Sequence, residues 1–215
     1  MIELVAFDMD GTLVDVESSW AAVHAHFGDS NTESLRLFLE DRLDDEAFIR
    51  SDIRIWWKHK PDLSIDDLEA ILAGVHLMPG ATQLFQSLHE RHCLTAIVSG
   101  GIDVLARRIG QELGVDYVLA NGFEVDGDGR LTGEGIVRVP IKHKEEVLAQ
   151  VQRQLGVTPE VTAAVGNSEI DVGLFRRSRI RIAFHPEDDE VRAAATSVVE
   201  GSDMAPIVAL LNERA

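Results

Sequence analysis

Short apolar runs that are typical of β-strands alternate along most of this chain with segments of helical periodicity. The strand-like runs cover residues 3–7, 94–98, 116–119, 162–165, 180–184 and 197–199. The helical segments lie at about 80–91, 101–113, 142–155, 169–176, 187–195 and 204–213. Strands that alternate with helices indicate a parallel sheet covered on both faces. The sequence therefore predicts an α/β fold with a Rossmann-like, doubly wound parallel sheet.

One long segment, residues 16–78, breaks this alternation. It has no convincing strand, and helical patterns occupy residues 18–27, 32–41, 44–59 and 65–74. The sequence thus predicts a core domain of residues 1–15 and 79–215, with a small helical domain of residues 16–78 inserted directly after the first strand. A second exception is residues 122–137, where alternating apolar residues flank an Asp-Gly-Asp-Gly turn and predict a β-hairpin.

The charge of the chain excludes some classes of partner. The formal net charge is −17 over 215 residues, whereas nucleic acids and anionic membranes are bound by basic surfaces. No charged leader with an apolar core precedes the first strand, and no apolar stretch approaches the length of a membrane span. We therefore expect a cytoplasmic protein that binds neither nucleic acid nor membranes.

Two carboxylates, Asp8 and Asp10, follow the first strand directly, and a Gly-Thr turn comes next. Ligands of open parallel sheets bind beyond the carboxyl ends of the strands. Two residues that are two apart on an extended chain point to the same side, so both carboxylates can meet one ligand. Such a pair can hold a divalent cation, or one can act as nucleophile while the other moves protons. The alternative is an ordinary strand-ending turn, since Asp and Gly are common in turns.

Polar residues also follow three later strands. Ser99 and Gly100 end the second strand, where a hydroxyl and helix N-terminal amides can bind an anion, although a helix cap is the favoured interpretation of Ser99 taken alone. Lys144 lies in the first turn of a helix, where cations are disfavoured unless an anion is near, although a solvated charged face is the simpler reading. Oxygen-bearing side chains follow the fourth strand, at Asn167, Glu169 and Asp171.

These four motifs together resemble those of the haloacid dehalogenase superfamily, and most closely its phosphoserine phosphatase-like branch. The resemblance rests on Asp8-Met-Asp10-Gly-Thr, Ser99, Lys144 and the run Gly166-Asn-Ser-Glu-Ile-Asp171, in that order. It covers nearly the whole chain and is weakest over residues 30–75. The resemblance implies a Mg²⁺-dependent phosphatase that hydrolyses a small phosphomonoester, with phosphoserine as a candidate, and a helical insertion that serves as a cap over the site.

The resemblance also implies roles for single residues. Asp8 would form an aspartyl-phosphate, and Asp10 would act as the general acid and base. Ser99, Gly100 and Lys144 would bind the phosphoryl oxygens. Mg²⁺ would be held by Asp8, by the backbone carbonyl of Asp10 and by the fourth motif, where Asn167 and Asp171 are the candidates. Asn167 departs from the Asp that is usual in the family, which predicts weaker metal binding.

Recognition of the substrate is expected from the insertion. Glu17 matches the position that holds the substrate ammonium in phosphoserine phosphatases, and Arg54 is the nearest candidate for the substrate carboxylate. An alternative to catalysis is a catalytically weak or non-catalytic relative that binds a ligand or has a regulatory role. An apolar face of the cap could also form a homodimer.

Overall fold

The computed structural model describes residues 1–213 and contains one mixed sheet of seven strands, in the order β4-β3-β2-β1-β5-β6-β7. Every neighbouring pair is parallel except β3 and β4, which are antiparallel. The predicted α/β fold with a doubly wound sheet is confirmed. The strands are β1 (Leu4–Phe7), β2 (Leu94–Ile102), β3 (Tyr117–Val125), β4 (Leu131–Ile136), β5 (Thr162–Gly166), β6 (Ile180–Phe184) and β7 (Ser197–Val199).

Strand β1 lies at the centre of the sheet, between β2 and β5, and it is buried on both faces. Val5 and Phe7 join one apolar cluster, whereas Leu4 and Ala6 join the other, on the opposite side. This two-sided burial explains why the strand is a continuous apolar run. The helices that cover the sheet are α5 (Ala81–Glu90), α6 (Asp103–Leu113), α7 (Lys144–Leu155), α8 (Val172–Arg176), α9 (Asp189–Ala194) and α10 (Ala205–Glu213).

Four helices occupy the segment between β1 and α5: α1 (Ser19–His26), α2 (Thr32–Leu39), α3 (Asp45–Trp56) and α4 (Ile65–Leu72). Three of them begin at a side-chain cap, which satisfies amides that the first helical turn leaves free. Ser18 accepts from the amide of Ala21, and Asp44 accepts from that of Ala47. Ser64 and Asp67 form a reciprocal capping box. The helical insertion is therefore present, while its boundaries at residues 16 and 78 stay a prediction.

The predicted hairpin is present as β3 and β4, and it packs against the helical insertion. Asp126 closes its turn by accepting from the amides of Asp128 and Arg130. Strand β4 packs against α3, where Arg50 donates to Glu134 at 2.8 Å. A Cβ on Gly135 would lie 2.5 Å from the side chain of Ile49, so this glycine permits the close approach of strand and helix.

Strand β2 continues further than the sequence predicts. The sequence predicts that the strand ends at residue 98 and that a helix begins at 101, whereas β2 runs to Ile102 and α6 begins at Asp103. The pairing of β2 with β3 shifts register between Val98 and Ile102, as at a β-bulge. The amide of Ile102 donates to the hydroxyl of Ser19 at 2.9 Å.

Among the described residues, no helix is both long and apolar enough to cross a membrane.

Candidate active site

A cavity of about 710 Å³ opens at the carboxyl ends of β1, β2 and β5, beneath helices α1 to α3. The parallel register of these strands brings their ends to one edge of the sheet. The cavity collects most of the residues that the sequence singles out, although they are far apart along the chain. Those that line it are Asp8, Asp10, Glu17, Ser99, Gly100, Lys144, Asn167 and Glu169.

Lys144 links two carboxylates at the floor of the cavity. Its Nζ donates to Asp8 Oδ1 at 2.8 Å and to Asp171 Oδ1 at 2.7 Å, and all three side chains are buried. Burial alone would lower the pKa of Lys144, but the charges of Asp171 and Asp8 outweigh it and raise that pKa. Lys144 therefore stays charged and holds one oxygen of Asp8 in place.

The structure argues against Asp171 as a metal ligand, which the sequence had predicted. Its Oδ1 accepts from Lys144, and its Oδ2 accepts from the amides of Asn167 and Ser168 at 2.9 and 3.2 Å. Both oxygens are thus committed to fixing Lys144 and the loop that follows β5. A Cβ on Gly166 would lie 2.4 Å from Asp171 Cβ, so glycine is needed here for the carboxylate to fit. Asp171 is a positioning residue for Lys144.

Burial raises the pKa of Asp8, and the charge of Asp171 raises it further, while Lys144 opposes both effects. Asp8 nevertheless has the geometry of a nucleophile. One oxygen is held by Lys144 and the side chain faces the cavity. A fixed carboxylate at the floor of a cavity can attack a phosphorus atom that a cation holds nearby.

Asp10 is held by a residue that sequence reasoning missed. The amide and the hydroxyl of Ser19 both donate to Asp10 Oδ2, each at 2.7 Å. Its other oxygen, Oδ1, is buried and has no hydrogen-bond partner among the described residues. Burial raises the pKa of Asp10 to about 7, although the hydrogen bonds from Ser19 act to lower it. A carboxyl group that titrates near neutrality suits a general acid and base.

The turn after Asp10 brings the first and fourth motifs into contact. Gly11 adopts a φ of +69°, which glycine tolerates without strain, and a Cβ there would lie 2.3 Å from Asn167 Nδ2. The hydroxyl of Thr12 donates to Asn167 Oδ1 at 3.1 Å. The hydroxyl of Thr12 thereby orients the amide of Asn167.

Asn167 has a second partner, Glu187, which sequence reasoning also missed. Asn167 Nδ2 donates to Glu187 Oε1 at 2.8 Å, and the amide of Glu187 donates to the carbonyl of Asn167 at 2.8 Å. Burial raises the pKa of Glu187, and the neighbouring carboxylates, with Glu17 first among them, add to that increase. A carboxylate that lies 20 residues from Asn167 thus reaches the cavity beside it.

The oxygen donors at this edge of the sheet suit a hard cation, although the neutral Asn167 lowers the total negative charge of the ligands. In the described part of the chain, no group of three His, Cys, Asp or Glu residues is arranged to hold a metal ion. Asp8 and Asn167 follow adjacent parallel strands and both line the cavity, and oxygen ligands are those that Mg²⁺ prefers. Asp10 Oδ1 is a buried carboxylate oxygen that lacks a partner, as expected where a ligand completes the site.

The end of β2 forms the opposite wall of the cavity. The hydroxyl of Ser99 accepts from the amide of Gly101 at 3.1 Å and is almost fully buried. The carbonyl of Gly100 accepts from the indole of Trp20 at 3.0 Å and from Asn121 at 3.3 Å, which fixes the peptide. A Cβ on Gly101 would lie 2.7 Å from Asp10 Oδ2, so glycine is required for this approach.

Arg54 does not reach the cavity, which corrects its predicted role as a substrate ligand. Helix α3 buries Ile49, Asp52, Ile53 and Trp56. Arg54 lies outside this stripe, is exposed, and is absent from the residues that line the cavity. Its helical phase therefore points it to solvent. Trp56 packs in the interior and donates to His24 Nδ1 at 3.1 Å.

Comparison with known proteins supports the arrangement. A model of the haloacid dehalogenase-like hydrolases matches residues 5–176. The phosphoserine phosphatase of Methanocaldococcus jannaschii is 31% identical over 185 residues, which cover 85% of this chain and 85% of that protein. The phosphoserine phosphatase of Archaeoglobus fulgidus is 30% identical over 187 residues, which cover 86% of this chain but 53% of that longer protein.

Solved structures show the same fold over nearly the full chain. A phosphoserine phosphatase structure described as a phospho-aspartyl intermediate analogue superimposes with a TM-score of 0.80 at 27% identity, and the match covers 97% of this chain and 98% of that one. An apo phosphoserine phosphatase gives a TM-score of 0.81 at 27% identity. The family match and these relatives show that the chain belongs to the haloacid dehalogenase superfamily of hydrolases, in its phosphoserine phosphatase-like branch.

Proposed function

We propose that this hydrolase is a Mg²⁺-dependent phosphatase that cleaves a small phosphomonoester through an aspartyl-phosphate on Asp8. The observation that carries the proposal is the cluster at the cavity floor, where Lys144 holds Asp8 from one side and Asp10 stands two residues away. The similarity to a structure of a phospho-aspartyl intermediate analogue supports the same chemistry. The homodimer and the cytoplasmic location expected from the sequence stay predictions.

Each residue has a distinct task in this reaction. Asp8 attacks phosphorus in line, and the bond from phosphorus to the leaving oxygen breaks. Asp10 gives that oxygen a proton, then takes a proton from the water that hydrolyses the aspartyl-phosphate. Lys144, the hydroxyl of Ser99 and the amide of Gly100 bind the phosphoryl oxygens, where negative charge is greatest.

Asp8, the backbone carbonyl of Asp10 and Asn167 would hold the Mg²⁺ ion. When bound, the ion supplies positive charge to the phosphoryl oxygens. Asn167 is neutral, so it brings no charge of its own to balance the cation. We propose that Glu187, hydrogen-bonded to Asn167 at 2.8 Å, supplies the negative charge that a carboxylate at position 167 would give.

Phosphate release from a panel of small phosphomonoesters, with phosphoserine included, tests the proposal. We expect turnover in millimolar Mg²⁺, loss of turnover with a chelator, and a loss of about a thousandfold or more in Asp8→Asn, which has no nucleophilic carboxylate. Asp15→Asn, at an exposed residue outside the cavity, is the matched control. Absence of turnover across the panel, or an Asp8→Asn variant as active as wild type, would contradict the proposal.

A catalytically weak or non-catalytic relative is the second candidate, and the neutral Asn167 is the observation that favours it. Asn167→Asp discriminates between the two. A large gain in phosphate release would mean that the wild-type chemistry is impaired. If the wild type is already active and Asn167→Asp releases phosphate little faster, the site functions fully with Asn167.

A further inference from the structure

The charges around the cavity are unevenly distributed. Away from the reacting pair Asp8 and Asp10, six acidic residues line it. Lys144 is the only Lys or Arg among the lining residues, all of which belong to the described part of the chain. It lies at the floor, where it donates to Asp8 and Asp171 and where the phosphoryl group is proposed to bind. The six acidic residues are Glu17, Asp29, Asp52, Glu169, Glu187 and Asp188.

His24 cannot supply a second cation to the cavity. Its Nδ1 accepts from the indole N–H of Trp56 at 3.1 Å, and an indole can only donate. Nδ1 therefore carries no proton, and the ring is neutral. Its remaining proton, on Nε2, is donated to Asp52 at 2.7 Å. The buried pair of His24 and Asp52 thus adds no positive charge that a ligand could use.

Three basic side chains of the segments that flank the cavity are either paired elsewhere or directed away from it. Lys142 donates to Asp41 and to the carbonyls of Phe38 and Leu39. Arg50 is paired with Glu134 at the hairpin. Arg54 faces solvent on α3 and does not line the cavity. A substrate carboxylate would therefore enter an acidic cavity with no cation placed to receive it.

Such a carboxylate is costly to bind, because it loses water and meets like charges. An ammonium group would meet the opposite situation. Glu17 is an exposed lining residue of the cavity, and the aromatic side chains of Trp20 and Phe48 also line it. The ring of Phe38 lines it as well, but Lys142 Nζ already lies 5.0 Å from its centroid. Carboxylates and aromatic faces both attract organic cations.

We infer, on the basis of the proposed phosphatase function, that the preferred substrate is the phosphomonoester of an amino alcohol whose leaving group carries an ammonium but no carboxylate. The phosphoryl group binds at Lys144 and Ser99. The ammonium binds toward Glu17. The site thus matches the expectation for a phosphoserine phosphatase at the phosphoryl group and at Glu17, and differs from it where the substrate carboxylate would be recognised.

Three substrates isolate the two charges. Phosphoethanolamine is phosphoserine without its carboxylate, and propyl phosphate replaces the ammonium of phosphoethanolamine by a methyl group. We expect kcat/KM for phosphoethanolamine to exceed that for phosphoserine by about tenfold or more, and that for propyl phosphate by a similar factor. A higher kcat/KM for phosphoserine, or equal values for all three substrates, would overturn the inference.

Glu17→Gln tests the assignment of the ammonium site. The ratio of kcat/KM for phosphoethanolamine to that for propyl phosphate should fall by about fivefold or more, because one substrate alone carries the charge that Glu17 attracts. Glu69→Gln, at an exposed position of α4 outside the cavity, is the control and should leave the ratio unchanged. An unchanged ratio in Glu17→Gln would contradict the assignment.

p-Nitrophenyl phosphate separates failure of this inference from failure of the proposed function. Its leaving group is activated and has neither a carboxylate nor an ammonium. If it is hydrolysed with Mg²⁺ while phosphoserine is preferred to phosphoethanolamine, the phosphatase function stands and the substrate class is wrong. If neither it nor the other three substrates release phosphate, the proposed function fails and the inference falls with it.

Discussion

The floor and the roof of the cavity are built in different ways. At the floor, Asp8 and Asn167 follow adjacent parallel strands, and Lys144 begins a helix beside them. At the roof, Glu17 precedes α1, and the aromatic residues project from helices α1 to α3. Strand register fixes the floor, whereas helical phase decides which roof residues face the ligand. A shift of one residue along a roof helix can therefore change which side chains face the substrate, while the reacting residues at the floor stay the same.

After loss of the nucleophile itself, the largest expected effect is at the floor, in Asp171→Asn. Loss of this charge weakens the hold on Lys144, so we expect kcat to fall by about a hundredfold or more. The free energy of unfolding should fall by about 3 kcal/mol, because a buried ion network loses one partner. Steady-state kinetics and urea denaturation measure the two effects.

Asp116→Asn provides the control for that variant. Asp116 accepts from the amide and hydroxyl of Thr95, at 2.8 and 3.0 Å, and it does not line the cavity. Its substitution should lower stability without lowering kcat. Equal losses of kcat in the two variants would mean that Asp171 matters only for folding.

The pH dependence of stability should reveal the raised pKa of Asp10. Its pKa is raised to about 7 in the folded protein, from 3.8, so the folded state binds the proton more tightly than the unfolded state does. We therefore compare the free energy of unfolding of wild type with that of Asp10→Asn. The difference, wild type minus variant, should fall by about 1 to 4 kcal/mol as the pH rises from about 4 to 7. Denaturation without Mg²⁺ measures it, and a difference that is flat or rises over this range would contradict the placement of Asp10.

Metal affinity should respond to the charge shared between Asn167 and Glu187. Calorimetric titration with Mg²⁺ alone should show binding about tenfold tighter in Asn167→Asp and about threefold weaker in Glu187→Gln, because each changes the negative charge beside the ion. Glu190→Gln, an exposed residue of α9 outside the cavity, is the matched control. Equal affinities in wild type and Glu187→Gln would exclude Glu187 from the metal site.

The smallest expected effect is at the roof, in Arg54→Gln. Because Arg54 faces solvent, kcat/KM for each substrate of the panel should stay within about twofold of wild type. A loss of tenfold or more for phosphoserine alone would return Arg54 to the substrate site.

The sequence predicted the floor better than the roof for a physical reason. Parallel strands bring their carboxyl ends together, so Asp8, Ser99 and Asn167 could be grouped without knowing any side-chain contact. Arg54 was misplaced because its role depended on helical phase, and the buried stripe of α3 runs through Ile49, Ile53 and Trp56 instead.

Two residues of the site left little signal in the sequence. Ser19 looks like an ordinary residue of a helix start, yet its amide and hydroxyl hold Asp10. Glu187 lies 20 residues after Asn167, and only the return of the chain through β6 brings the two together. Asp171 carried a signal for a metal ligand, but the backbone amides and Lys144 occupy its oxygens.

The proposed function depends above all on Asp8, which carries the phosphoryl group during turnover. The most direct measurement is acid quenching of the enzyme while it turns over its best substrate, followed by peptide mass spectrometry. We predict a phosphoryl group on Asp8 during turnover, and no such group after the substrate is exhausted or in Asp8→Asn. This role of Asp8 would be contradicted if the enzyme released phosphate at a steady rate without any phosphorylated Asp8, and Asp8→Asn kept that rate.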